Sequence, residues 1–142
     1  MRRMNMRLPA AGIFLALLAG IAAAQTPEAC AGDAAVQELI ENVLAARLAS
    51  GRSLSSELAS IPPVERELRD RIAMGCRRGA ARPLPDGGLA VDASVEPSVL
   101  TSMLQEAVRS QLPRADVSRW TLDAATVTLV GTGITADDGR PR

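Results

Sequence analysis

The hydrophobic pattern of this chain changes period near residue 80, and that change limits the folds open to it. Before it, Val36, Leu39, Ile40, Val43, Leu44 and Leu48 recur at the three- and four-residue spacing of a helix with one buried face. After it, Leu89, Val91, Ala93 and Val95 alternate with Ala90, Asp92 and Ser94, the period of two expected of a half-buried strand. The helical period returns in Val99, Leu100, Met103, Leu104, Ala107, Val108 and Leu112, and the β-branched run TVTLVGTGIT at 126–135 reads as a last strand. The order is helix, short helix, helix, hairpin, helix, strand. It predicts an α+β fold in which amphipathic helices pack on one face of a small, mostly antiparallel sheet. Such a sheet has an open edge, which needs a cover or a partner.

Local signals set the expected boundaries. Asp33 is placed to cap the first helix, and Gly51 to stop it after Ser50. Ser53 caps a short helix over 54–60, and Pro62-Pro63 opens the next, whose buried positions are Val64, Leu68 and Ile72. The run Glu65-Arg66-Glu67 with Arg69-Asp70-Arg71 reads as the solvated face of that helix. Arg82-Pro83 restricts 81–84 to an edge strand, and Pro85-Asp86-Gly87-Gly88 is a turn. The expected organisation is a signal peptide at 1–24, an irregular leader at 25–32, one domain at 33–135 and a polar tail at 136–142.

Arg2, Arg3 and Arg7 precede an acid-free apolar run over 8–24 that ends in Ala22-Ala23-Ala24, the pattern of a cleaved secretory signal. The alternative is an uncleaved N-terminal anchor. The run is at the lower limit for spanning a bilayer and has no basic flank behind it, so cleavage after Ala24 is expected, with no stable membrane insertion afterwards. Cys30 follows Pro27-Glu28-Ala29, which is not the context of a lipid-modified cysteine. Cleavage takes the formal charge from zero to −3 and removes Phe14, leaving Trp120 as the one aromatic residue of an aliphatic core. Cys30 and Cys76 are the only cysteines, and in an exported chain an even count predicts a disulfide between them. The loop closed would span about 47 residues and stabilise the fold by about 4 kcal/mol.

The inventory of reactive side chains is short. His, Lys and Tyr are absent, so the commonest general base, the usual metal ligand and the Schiff-base amine are all missing. Gly131-Thr132-Gly133-Ile134-Thr135-Ala136 matches a dinucleotide-binding string, but too few residues follow for the helix that would hold a pyrophosphate; its glycines read as a bend. Asp137-Asp138-Gly139 lacks the remaining ligands of a calcium loop. No enzyme activity, cofactor or metal is expected. Arg77, Arg78 and Arg82 form a basic cluster, and Trp120 lies beside Arg114 and Arg119; these are the candidate surface contacts, read otherwise as a helix end and a core plug. An acidic mature chain without interleaved aromatics is not expected to bind nucleic acid.

Arg77-Arg78-Gly79-Ala80, followed by Leu84-Pro85-Asp86-Gly87-Gly88-Leu89-Ala90-Val91-Asp92, resembles the LPP-type small envelope lipoproteins and the N-terminal domain of flagellar assembly protein T. The likeness spans about 34–95 and, more faintly, 126–135. It departs from that family in lacking the lipid-modified cysteine, in the short link from Ala80 to Asp86, and in stopping soon after the last strand. The resemblance implies a non-catalytic α+β module of a bacterial envelope that works by protein contact with an envelope partner, secreted or periplasmic. The alternative is a carrier of a small apolar molecule held between helix and sheet.

Overall fold

A computed structural model describes residues 26–123, 129–136 and 140. The expected signal peptide, the first three residues of the expected last strand and Asp137-Asp138-Gly139 lie outside them. The elements are α1 (Pro27–Ala45), α2 (Leu54–Leu58), α3 (Pro62–Gly75), β1 (Arg77–Arg78), β2 (Arg82–Pro83), β3 (Leu89–Val95), α4 (Pro97–Gln111), a 3-10 turn (Val117–Arg119) and β4 (Leu129–Thr135). The α+β reading holds: four helices stand with a four-stranded antiparallel sheet.

Helix α1 starts earlier than the Asp33 cap predicts. Thr26 is its N-cap, with Oγ1 accepting from the Ala29 amide at 3.1 Å, and Pro27 fills the first position. Residues 27–32 are therefore helical rather than an irregular leader. The helix also ends at Ala45, not Ser50, because the chain turns through Gly51 so that Arg47 bridges Ser53 and Leu48 bridges Leu122. Ser53 caps α2 by accepting from the Ser56 amide, and Pro62-Pro63 begins α3 as expected. On α3, Glu65–Arg69 and Glu67–Arg71 are i,i+4 ion pairs in the favourable order, so the charged run is a solvated face. Arg71 also reaches Glu106 of α4 at 2.8 Å, tying the two helices at their surface.

β3 is the centre of the sheet. One of its edges pairs with all of β4, Leu89 opposite Thr135 through Val95 opposite Leu129. The other pairs with β1 (Arg77 opposite Ser94) and then β2 (Arg82 opposite Ala90). The register slips by one residue between these two short strands, which makes Gly79–Ala81 a bulge in a single interrupted edge. Pro83 lies opposite Leu89, whose backbone groups face β4, so its missing amide costs no ladder bond. The turn into β3 has Gly87 at φ 91° and an Asp86 carboxylate accepting from the Gly88 amide at 3.0 Å.

α1 covers one face of the sheet, over Val91, Ala93 and Val95, the other helices join it in one core, and that core is aliphatic apart from Trp120. On α4 the buried stripe is narrower than predicted. Leu100, Leu104, Ala107 and Val108 are buried, whereas Val99 is 43% exposed and Leu112 39%. Val99 borders a cleft with Gly75, Arg77 and Ser94, and Leu112 one with Glu57, Ile61 and Trp120, so neither is closed over.

The closest packing joins α1 to β4. Gly131 and Gly133 face the helix, and a Cβ at Gly131 would overlap the Leu39 amide nitrogen and the Ala35 carbonyl. At Gly133 it would overlap the Ala31 carbonyl. Four helical residues rise about 6 Å and two strand residues about 6.6 Å, so Ala31, Ala35 and Leu39 stay in step with Gly133 and Gly131 along the whole contact. The helix backbone thus rests on the strand backbone, antiparallel to it. The glycines are a seat for a helix, not the bend read from the sequence.

Candidate interaction surface

On the face turned away from the helices Ala90 is buried, Asp92, Ser94, Thr132 and Ile134 are part-exposed and Val130 is exposed, and one edge of β4 has no strand beside it among the described residues. The Asp92 carbonyl accepts from the Gly79 amide at 2.8 Å, so the backbone of Asp92 is directed toward the β1 side. Its partner Thr132 is then in a non-hydrogen-bonded pair, and alternation along the ladder turns the amides and carbonyls of Val130, Thr132 and Ile134 away from β3. The Val130 carbonyl accepts from Asn42 Nδ2 at 2.7 Å, which places the Asn42 flank of α1 above this outer edge. β4 carries no charged residue and no proline, the usual deterrents to edge pairing. Val130 exposes 44% of its surface on the open face.

Across that face Arg82 pairs with Asp92 at 2.5 Å, and the other Asp92 oxygen accepts from the Thr132 hydroxyl at 2.8 Å. This cross-strand line joins β2, β3 and β4. The Arg82 guanidinium, then the Thr132 hydroxyl, holds the Asp92 carboxyl below its ordinary value. Arg82 is therefore committed to the sheet, while Arg77 and Arg78 stand exposed on β1 without an ion pair among the described residues. Arg77 and Arg78 directly follow Cys76, the C-cap of α3, so the basic cluster begins at that helix end and continues along a strand edge.

Trp120 is not a contact surface. It is 5% exposed and packs in the core, with the Arg119 guanidinium 5.5 Å from its ring centre. A cleft of about 310 Å³ beside it is lined by Glu57, Asp116 and Arg119 among others, but its charges are already matched. Glu57 meets Arg52 and Arg119, each at 3.2 Å, and the Ser118 hydroxyl and amide hold the Asp116 carboxyl below its usual range. A second cleft of about 290 Å³ lies between Gly75, Arg77, Ser94 and Val99.

The disulfide expected between Cys30 and Cys76 is not formed; both are free thiols. Cys30 adjoins Ala31, which sits over Gly133 and so level with Val91. Cys76 precedes Arg77, opposite Ser94, and is level with Val95 on the other side of β3. Four strand residues are about 13 Å, well beyond the ~7 Å between Cα atoms that a disulfide tolerates. The helix–sheet seam, where a carrier would need its cavity, is filled at Gly131 and Gly133 by backbone contact.

Asn42, Glu38 and Thr132 shape the β4 edge; from the sequence Glu38 belongs only to the polar face of the first helix and Thr132 to the glycine string, and Asn42 carries no strong signal. Asn42 and Glu38 are four apart on the first helix, and a lone Asn on an acidic flank is a faint sign of a backbone partner. Comparisons with protein-family models, curated proteins and solved structures found no match. The likeness to envelope lipoproteins rests on its short motifs alone.

Proposed function

We propose that this chain is a non-catalytic interaction module of a bacterial cell envelope, secreted or periplasmic, acting by protein contact along the outer edge of β4. The observation that carries the reading is the outward-facing backbone of Val130, Thr132 and Ile134 on an uncharged edge that no strand pairs among the described residues. An edge of this kind offers main-chain donors and acceptors to an extended segment, and alternate side chains give selectivity. The basic, then apolar, then small-residue pattern of 1–24 supports delivery outside the cytosol, and in the cleft beside Trp120 the Glu57 carboxylate is engaged by Arg52 and Arg119 rather than left poised for proton transfer.

Site-specific photo-crosslinking tests it in intact cells. A photoreactive side chain at Ile134 is expected to give one adduct of defined mass in the envelope fraction, and the same group at Arg66, on the solvated face of α3, none. Equal labelling from both positions, or none from Ile134, overturns the proposal.

A further inference from the structure

We infer that the segment added to β4 is a basic one: an extended peptide with Lys or Arg at alternate positions facing α1. This rests on the strand-addition reading above and specifies its partner.

The argument begins with the charge of α1. Its sequence holds Glu28, Asp33, Glu38 and Glu41 and no basic residue. Glu41 has an ion-pair partner, Arg69 at 3.8 Å; among the described residues the other three make none. The chain has as many bases as acids overall, so the helix beside the open edge is a local concentration of negative charge.

Position follows from the helix–strand step. Asn42 reaches the Val130 carbonyl over the outer edge. One helical turn back, about 6 Å, brings Glu38 onto the same flank, and two strand residues on, about 6.6 Å, is Thr132. Glu38 is exposed, and this step sets it beside the outward amide and carbonyl of Thr132, which no strand pairs among the described residues.

A strand laid along this edge pairs one residue with Thr132, and that residue's side chain falls on the open face. Its neighbours, opposite Gly131 and Gly133, turn toward α1. α1 rests directly on Gly131 and Gly133, so a long stem from the added strand rises beside the exposed Glu38–Asn42 flank of the helix, where its ammonium or guanidinium can meet Glu38. The open-face positions continue the row of Val130, Thr132 and Ile134 and suit β-branched residues. Charge also selects against a second copy: antiparallel pairing of β4 with itself would set two acidic α1 helices side by side, and like charges in such an interface oppose it.

The probes are fluorescent seven-residue peptides alternating Val with Lys, the same peptide with Glu for Lys, and the Lys peptide N-methylated at alternate backbone nitrogens. Binding to the full folded chain is read by anisotropy at about 50 mM and about 300 mM salt. The Lys peptide is expected to bind saturably and to weaken at high salt. Glu38→Lys, an exposed helix position that folding does not depend on, should weaken it about tenfold, and N-methylation should abolish it. If the Glu peptide binds as well as the Lys peptide and N-methylation abolishes binding of the Lys peptide, strand addition stands and the charge inference falls. If neither binds, both fall. Binding of the Lys peptide that survives N-methylation marks loose attraction to an acidic surface and overturns the inference, as does concentration-dependent dimerisation of the chain through β4.

Discussion

Gly133→Ala puts the helix–strand seat under direct test. The added Cβ would overlap the Ala31 carbonyl and come within 2.5 Å of the Ala35 amide nitrogen, both of them backbone atoms of α1 that no rotamer change can move aside. Either the helix lifts from the strand or β4 bends, and overpacking of this kind costs about 1–3 kcal/mol. Alanine recovers roughly 0.5–1 kcal/mol over glycine in a strand interior. Because the obstacle is rigid and repeated along the contact, the net loss is expected at about 2 kcal/mol, a fall in midpoint of about 8–16 °C for a domain near 100 residues. The matched control is Gly32→Ala, also on α1, where a Cβ would meet nothing within 4 Å. There the helix gains about 0.5–1 kcal/mol. Thermal and urea unfolding followed by circular dichroism measures both. A Gly133→Ala variant as stable as the parent, or no less stable than Gly32→Ala, refutes the backbone-on-backbone packing.

Four further outcomes follow from the same geometry. Trp120→Ala should cost about 3–5 kcal/mol, and the parent's tryptophan emission should be blue-shifted and poorly quenched by acrylamide. Thr135 is fully buried and its hydroxyl has no hydrogen-bond partner among the described residues, so Thr135→Val should be neutral or stabilising by up to about 1 kcal/mol in urea titrations. The carboxyl of Asp92 is lower in the folded chain than in the unfolded one. Its contribution is thus present above the unfolded value near pH 3.9 and is lost as pH falls through the folded value; Asp92→Asn should flatten the acid limb of stability against pH. Cys30 and Cys76 should both alkylate on the folded, non-reduced protein, with an intact mass showing no two-hydrogen deficit.

Much of the fold was readable because the signals were local. Leu89–Val95 alternates over seven residues, and α3 has prolines at its start and Val64, Leu68 and Ile72 on one face, so neither needed knowledge of its neighbours. The start of α1 was equally local, in Thr26-Pro27-Glu28, but these residues adjoin the export pattern and were assigned to a leader. β1 is two residues long, below any period. The two decisive features of the surface are tertiary. Gly131 and Gly133, two apart, share a strand face, and Ala31 and Ala35, four apart, share a helix face; only their meeting explains both pairs. The cysteine count similarly says nothing of level along the sheet, which is what keeps Cys30 from Cys76.

Residue-resolved amide hydrogen exchange on the free protein reads the state of the β4 edge itself. The amides of Thr132 and Ile134, which point away from β3, should exchange far faster than those of Gly131 and Gly133, which bond to it, and should slow when the basic peptide is added. Uniform protection along Leu129–Thr135 in the free chain would mean that the edge is already covered, and would contradict the account.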